Sequence, residues 1–518
     1  MVQPDPAKPT VYLVGAGPGN PGLLTLRAAE VLGRADLVLY DQLVPERLLE
    51  LANPAAARMC VRELPGNHPD KYPHIHQLLI ESARAGKTVV RLKGGDPLVF
   101  GRGGEEAEAL RAAGVGYEIV PGVTAALAAG AYLELPLTHR NYASAVALVT
   151  GHELPNKPGN RLDWKALAAF PGTLCIYMGV ARLPVIVAEL LKYGKDPETP
   201  AALVERASRG DQRAVYSRLA DLEITRRHAG LESPGMIIVG EAVAHRPANP
   251  WWEARPLFGR RVLVTRPAHQ AGDMARKLEH LGAVVSRLPT VEIRPPADPG
   301  PLDRALGQIR GGEWDWVVFT SANGVHAVLG RLHALGRDAR DFGGVKFAAI
   351  GPKTADALGE YHLRADAVPD ATYSSEGLVE ALKPLVAGRR VLLARANRGR
   401  ELLRDELGKI ATVEQIAVYD QVDAVAPGAA VLDALRRGEI RYVTLPSSRI
   451  AQNLLAAFDD TIRGRVARGE VKLVAISPET GRAVRAAGYP VAAEAATYTA
   501  DGLIEAVVRL VGEEGHAG

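Results

Sequence analysis

Chemistry-capable side chains in this sequence collect at the ends of short apolar runs. The richest stretch is residues 91–106, RLKGGDPLVFGRGGEE, which follows the β-branched run at 88–90. Gly94 and Gly95 let the chain turn with no side chain in the way. Asp96 places a carboxylate where the run ends, and Pro97 fixes the chain after it. The glycines at 101–104 precede a helix expected to begin at Glu105 and Glu106, where carboxylates suit the helix dipole. A second glycine turn, Gly15-Ala16-Gly17-Pro18-Gly19, follows the apolar run 11–14. Two such ends in one region describe bare main chain pressed against a flat ligand. The run 37–40 stops on Asp41, which reads as a general base, as a ribose ligand, or as a turn residue. Thr138-His139-Arg140 sets a hydroxyl, an imidazole and a guanidinium in a row. Arg140 suits a carboxylate, although an exposed loop accounts for it equally well. Met178 is more often core filler than ligand contact, and His152 reads as a loop histidine.

These residues need a scaffold that delivers strand ends to one place. Strands at 11–14, 37–40, 89–92 and 117–120 alternate with helices at 23–33, 75–85 and 105–113. That is a βαβ series, and it predicts a mainly parallel sheet. Strands at 145–150, 173–178, 201–205 and 236–239, with helices such as 183–193, predict a second α/β lobe. A cleft between lobes receives the strand ends, where open α/β sheets hold small ligands. A dinucleotide fold would open a helix directly from G-x-G-x-x-G and carry an acidic residue about 20 positions on. Here the helix starts later and that residue is lacking, which disfavours a nucleotide-dependent oxidoreductase.

Composition bounds the remainder. The 518 residues are 47% hydrophobic and 23% charged, as in soluble globular proteins of two to four domains. A net charge of +3 argues against a general nucleic-acid binder. Cys60 and Cys175 are the only cysteines, so no disulfide framework and no zinc spacing exist, and no metal is expected. The first residues, MVQPDPAKPT, lack the apolar core of a signal peptide, and no apolar run is long enough for a bilayer. A cytoplasmic enzyme, with no membrane partner, is expected.

In order, VYLVGAGPGNPGLLTL, the strand end Leu39-Tyr40-Asp41, RLKGGDPLVFGRGGEE, VPGVTAA, LPLTHR, TLCIYMG and SPGMIIVGEAV cover residues 10–245. They resemble uroporphyrinogen-III C-methyltransferase. The resemblance implies an S-adenosyl-L-methionine site between two lobes (10–120 and 121–245), touched by Pro18, Gly94, Gly95, Asp96, Val99, Thr124, Ala125, Met178 and Ala207. Alanine at 207 departs from the usual glycine. Asp41 matches the family's proton acceptor. The family's donor lysine is missing; Arg62 stands nearby and binds a carboxylate rather than giving up a proton. Arg91, Arg102 and Arg140 are candidates for the acidic rim of a tetrapyrrole. The family implies a homodimer through this region.

Residues 246–258 form a stiff Pro-rich linker, in which Trp251 and Trp252 are expected to pack on a neighbouring domain. Beyond it the chain repeats: GRRVLVTRP at 259 returns as GRRVLLARA at 388, and VKFAAIGPKTADAL at 345 as VKLVAISPETGRAV at 471. Two copies are a duplicated α/β lobe rather than a solenoid. The order VLVTRP, FTSANGV, AIGPKTA, YSSEGL, RANRGRELL, VYDQV, SPETG resembles uroporphyrinogen-III synthase over 259–512. It implies discontinuous lobes, 259–290 with 421–518 and 291–420. Tyr419, expected at the end of the strand 416–418, is the candidate acid; its bland reading is packing. Ser321, Ser447 and Thr480 match substrate-carboxylate positions, and Arg266, Arg395 and Arg398 add charge. Glu479 and Ser477 depart from the family pattern. Taken together, the resemblances imply one chain with two consecutive activities, cyclisation and methylation. The alternative keeps the methylase and makes the second half a binding or regulatory module.

Overall fold

The computed structural model describes residues 10–65, 71–153, 162–289, 291–370, 372–399, 401–423 and 428–516. The first nine residues lie outside the described residues, as do Ala371 and, within RANRGRELL, Arg400. The chain divides into two compact units. One comprises 1–262 with 276–285 and 508–518, the other 263–275 with 286–507.

The architecture is α/β. In the first unit, β1 (Val11–Gly15), β2 (Leu37–Tyr40), β3 (Ala57–Cys60), β4 (Val89–Lys93) and β5 (Tyr117–Val120) form one sheet in the order β3-β2-β4-β1-β5. Every pairing in it is parallel. Apart from Arg91 and Lys93 on β4, its central strands are apolar on both faces because helices cover both. Val11, Leu13, Leu39 and Val89 pack with Leu79 and Leu110 on one side. Tyr12, Val14, Val38, Val90 and Leu92 meet Val31, Leu32 and Leu48 on the other. Each such buried aliphatic side chain contributes roughly 1.5–3 kcal/mol. The chain leaves β1 towards β2 on one side, and β4 towards β5 on the other. Such divergence opens a crevice beyond the strands' carboxyl ends.

The second sheet of this unit holds β6 (Val146–Thr150), β7 (Thr173–Tyr177), β8 (Pro200–Glu205), β9 (Arg213–Arg218) and β10 (Gly235–Val239), ordered β6-β7-β10-β8-β9. Only β6 and β7 run parallel; β10 is antiparallel to β7 and β8, and β8 to β9. Strands β3 and β9 escape the sequence reading. The first is four residues long, and the second, RAVYSR, is half polar and lies at an edge. The helix placed at 23–33 begins later, at Leu26, after a short turn at Pro21–Leu23 capped by Asn20. Trp251 and Trp252 pack on Tyr132, with ring centroids 5.2 and 4.9 Å away. The Trp252 indole donates to the Arg209 carbonyl and is buried.

The other strands are β11 (Arg261–Val264), β12 (Val284–Arg287), β13 (Val291–Arg294), β14 (Trp316–Phe319), β15 (Lys346–Ala349), β16 (Arg390–Ala396), β17 (Thr412–Asp423), β18 (Tyr442–Leu445), β19 (Lys472–Ala475) and β20 (Ala493–Glu494). Their sheets are ordered β12-β11-β18-β19-β20 and β13-β17-β16-β14-β15. The internal repeat is interlocked. Strand β11 belongs to the first copy but lies beside β18 of the second, while β16 of the second copy pairs with β14 of the first. Thr265 Oγ1 donates to the Thr444 carbonyl at 2.6 Å, and Thr444 Oγ1 returns a bond to Leu263 at 3.0 Å. No helix among the described residues is long and apolar enough to cross a membrane.

Candidate active sites

At the carboxyl ends of β1, β4 and β5 the main chain itself is the surface. Gly17 and Gly95 exchange backbone bonds, Gly17 N to Gly95 O at 3.1 Å and Gly95 N to Gly17 O at 2.8 Å. Both have positive φ, 74° and 67°, the left-handed region that glycine enters without steric cost. A Cβ on Gly122 would stand 2.3 Å from the Gly95 carbonyl, and one on Gly15 would stand 2.6 Å from Gly122 Cα. These glycines are therefore required for the close approach of three strand ends. Gly94 differs: a Cβ there has only Leu43 nearby, at 3.9 Å.

Asp96 ties the turns together. Its Oδ1 accepts from Leu98 N at 2.8 Å and its Oδ2 from Gly122 N at 3.0 Å. Thr124 is buried, with its hydroxyl 2.7 Å from Tyr177 Oη, which also accepts from Ala126 N at 3.1 Å. Tyr177 ends β7, so this contact joins the glycine crest to the second sheet of the unit. Burial lifts the Tyr177 phenol above its usual pKa, opposed by the Thr124 hydrogen bond. Non-glycine residues with positive φ gather on the same segments: Phe100, Arg102, Met178, Arg206 and Ser208. Backbone strain of this kind clusters at ligand sites. Met178 is 51% exposed rather than core filler. Pro18, Val99, Ala125 and Ala207 are half-buried, and Ala207 sits between the two strained residues of its loop.

The arginines separate. Arg91 corrects the expectation that it meets substrate: it is 2% exposed and faces inward. Its Nη2 donates to Asp41 Oδ1 at 2.5 Å, its Nε to Glu106 Oε1 at 3.0 Å, and its Nη1 to the Leu39 and Leu92 carbonyls at 3.4 and 3.3 Å. Asp41 remains half-buried at the end of β2. Arg102 is the residue before the helix Gly103–Ala112, which starts two positions earlier than expected. It stacks over the Tyr72 ring at 3.4 Å and pairs with Glu105 at 2.9 Å. Arg62 and Arg140 are exposed. Lys93, which the sequence reading passed over, and Glu106, read there only as a first-turn carboxylate, are both buried.

In the second unit, hydroxyl residues cap helices that follow strand ends. Ser321 Oγ accepts from Gly324 N at 3.1 Å, Ser447 Oγ from Ile450 N at 3.3 Å, and Ser477 Oγ from Thr480 N at 3.3 Å. Helix starts of this kind suit carboxylates. Tyr419 does not end its strand as expected. Strand β17 runs on to Asp423, and Tyr419 is 4% exposed within the core of its sheet. Its Oη lies 3.0 Å from Ser321 Oγ, which is the more accessible of the two. Thr480 is also buried, at 2% exposure, with its hydroxyl turned to Ser477. That makes Ser477 the outer member of that pair. Arg395 is buried beside Gln415, and Arg398 pairs with Asp423 at 3.0 Å. Glu479 is exposed on the first turn of its helix.

A parallel sheet whose glycine crest is strapped to a mixed sheet through Thr124 and Tyr177 is the arrangement of a two-lobed small-molecule enzyme. Comparison with known families makes this specific. Residues 10–223 match the family model described as Tetrapyrrole (Corrin/Porphyrin) Methylases. Residues 272–505 match the model for Uroporphyrinogen-III synthase HemD. The "Porphyrin biosynthesis protein HemD" of Ruminiclostridium josui is 34% identical over 459 residues, which is 87% of this chain and 89% of that protein. The chain belongs to this family of porphyrin biosynthesis proteins, with a tetrapyrrole methylase region ahead of a HemD region. The S-adenosyl-L-methionine-dependent uroporphyrinogen III methyltransferase of Methanosarcina barkeri is 45% identical over 233 residues, 91% of its length. The Bacillus subtilis uroporphyrinogen-III C-methyltransferase is 42% identical over 273 residues, and the match spans 56% of it.

Proposed function

We propose that the chain catalyses two consecutive steps. Residues 259–512 close linear hydroxymethylbilane to uroporphyrinogen III with inversion of one ring. Residues 10–245 methylate that product twice, using S-adenosyl-L-methionine, to give precorrin-2. The carrying observation is the glycine crest beside Asp41, inside a chain whose relative with matching names spans both halves. The protein acts as a cytoplasmic homodimer.

The crest suits S-adenosyl-L-methionine because its main chain is bare at Gly94, where a Cβ would meet no protein atom closer than 3.9 Å. Gly94, Gly95, Asp96, Val99, Thr124, Ala125, Pro18, Met178 and Ala207 would hold it. When bound, it supplies an already activated methyl group, and a pyrrole carbon of the porphyrinogen is already nucleophilic. The residues therefore act mainly by alignment. Exposed Arg62 and Arg140, with Arg102, take the carboxylate rim. After the methyl–carbon bond forms, the ring is cationic and must lose a proton from carbon to recover conjugation. Asp41 is the acceptor. A cationic carbon acid requires no strong base, so a carboxylate suffices.

For cyclisation, the leaving hydroxyl of the bilane must take up a proton as its carbon–oxygen bond breaks. The Ser321–Tyr419 hydroxyl pair supplies it, with Ser321 on the substrate side. The helix starts at Ser321, Ser447 and Ser477 hold the acetate and propionate groups.

The test of the methylating half is Asp41→Asn. We expect methyl transfer from labelled S-adenosyl-L-methionine to uroporphyrinogen III to fall by roughly 10²–10⁴-fold, with S-adenosylhomocysteine still bound. Unchanged turnover would refute the base assignment. The rival reading of the second half as a sensor predicts no uroporphyrinogen III from hydroxymethylbilane.

A further inference from the structure

Lys93 and Glu106 belong to no step described so far, yet both are buried beside the Arg91–Asp41 pair. On β4 the alternation of a strand sends Arg91 and Lys93 to the same face. Glu106 comes from the helix Gly103–Ala112 and is 0% exposed. One of its oxygens, Oε1, accepts from Arg91 Nε at 3.0 Å and from Lys93 Nζ at 2.9 Å. Its Oε2 has no hydrogen-bond partner among the described residues. Two cations and two carboxylates thus form one neutral cluster, of which only Asp41 reaches the surface.

From this geometry we infer that Glu106 is a positioning residue for methylation: it fixes Arg91 and balances Lys93, so that Asp41 is presented as a carboxylate opposed by one net cation. The inference rests on the reading of Asp41 as the proton acceptor.

The physical reason is charge balance where water cannot screen it. Buried ions interact strongly and are costly to leave unpaired. With Glu106 in place, Lys93 is engaged by its own carboxylate, and Arg91 is free to hold Asp41 through one arm of its fork. Without that charge, Arg91 and Lys93 would both face Asp41; the surplus cation would favour the charged form, and the fixed orientation would be lost. Burial, and then the like charge of Arg91, already push the Lys93 ammonium below its usual pKa, while Glu106 pulls it back. His76, on the neighbouring helix Lys71–Arg84, also faces Glu106. Burial lowers its pKa, with Arg102 lowering and Glu106 and Glu105 raising it. Arg91, Lys93 and His76 interact with Glu106, and Arg91 and Lys93 with Asp41.

The experiment uses the full chain, uroporphyrinogen III and S-adenosyl-L-methionine, with S-adenosylhomocysteine affinity as the control for an intact site. Glu106→Gln should keep that affinity and the KM for uroporphyrinogen III within a few-fold. Its kcat should fall roughly 10- to 100-fold, less than loss of the base itself, and the acid limb of the kcat profile should move to lower pH. Adding Lys93→Met removes the surplus cation; the double variant should recover much of kcat and return the acid limb. A merely structural role would move neither limb, and the double variant would be worse than either single. A wild-type kcat and acid limb in E106Q, or no recovery in the double variant, overturns the inference. If E106Q fails to bind S-adenosylhomocysteine, Glu106→Asp is read instead. It keeps the charge on a shorter arm, so the acid limb should stay while kcat falls, and an unchanged kcat is contrary. Asp41→Asn is run alongside. Turnover retained there defeats the base reading itself, whereas an inactive D41N beside a normal E106Q defeats only the present inference.

Discussion

At the level of single residues, burial decides which side chains of a given type can act. Arg91 and Arg102 look alike in sequence, eleven positions apart in one motif, yet one is sealed into a salt-bridge cluster and the other, half-buried, stacks on the Tyr72 ring. Cys60 and Cys175 differ in the same way. Burial alone pushes the Cys175 thiol up to about 12, so it carries almost no thiolate at neutral pH. A thiol reagent should therefore label Cys60 in the native protein and both cysteines after denaturation; native labelling of Cys175 would contradict its burial. Tyr419→Phe removes the partner of Ser321 while keeping the ring in its core. Cyclisation is expected to fall at least about 10-fold, while stability changes by about 1 kcal/mol, as compared by isomer analysis and thermal unfolding. The glycines and Asp41 were legible in the sequence because their spacing from apolar runs is local. The Lys93–Glu106 contact was less so, since thirteen residues separate its members. A signal existed nonetheless. Gly103, Glu106, Ala107 and Leu110 form the buried stripe of their helix, and a glutamate in such a stripe calls for a buried cation.

At the level of elements, the crest works because strand ends meet without side chains between them. Gly122→Ala and Gly94→Ala separate two consequences of that. The first drives a Cβ to 2.3 Å from a carbonyl that cannot move without its strand. Overpacking of this kind costs roughly 1–3 kcal/mol, so both thermal stability and S-adenosylhomocysteine affinity should drop. The second adds a methyl group with no protein atom closer than 3.9 Å. It should leave stability within about 0.5 kcal/mol but still weaken the ligand, because the methyl enters the ligand's space. Equal behaviour of the two variants would argue against the crest as the binding surface. The parallel sheet could be read from sequence because strands covered on both faces are apolar throughout. The antiparallel β8, β9 and β10 could not, since strand direction depends on connections whose path the pattern does not record. Strand β17 was read short for a related reason: its half-polar ends, TVEQ and DQVD, lack the run that marks a buried strand.

For the molecule as a whole, the repeat at 259–512 was visible as a nearly constant offset between motifs, and the structure adds that each copy lends its first strand to the other's sheet. Such interlocking makes a single copy incomplete, so truncation within the second half should abolish folding of both of its sheets. The central claim is that one chain runs two reactions in sequence, and purified full-length protein tests it with hydroxymethylbilane as the sole tetrapyrrole. Without S-adenosyl-L-methionine, the isomer formed should be uroporphyrinogen III. With it, the product should be a doubly methylated dihydro-isobacteriochlorin. Spontaneous closure to the uninverted isomer in the first mixture, or no methylated product in the second, would contradict the account.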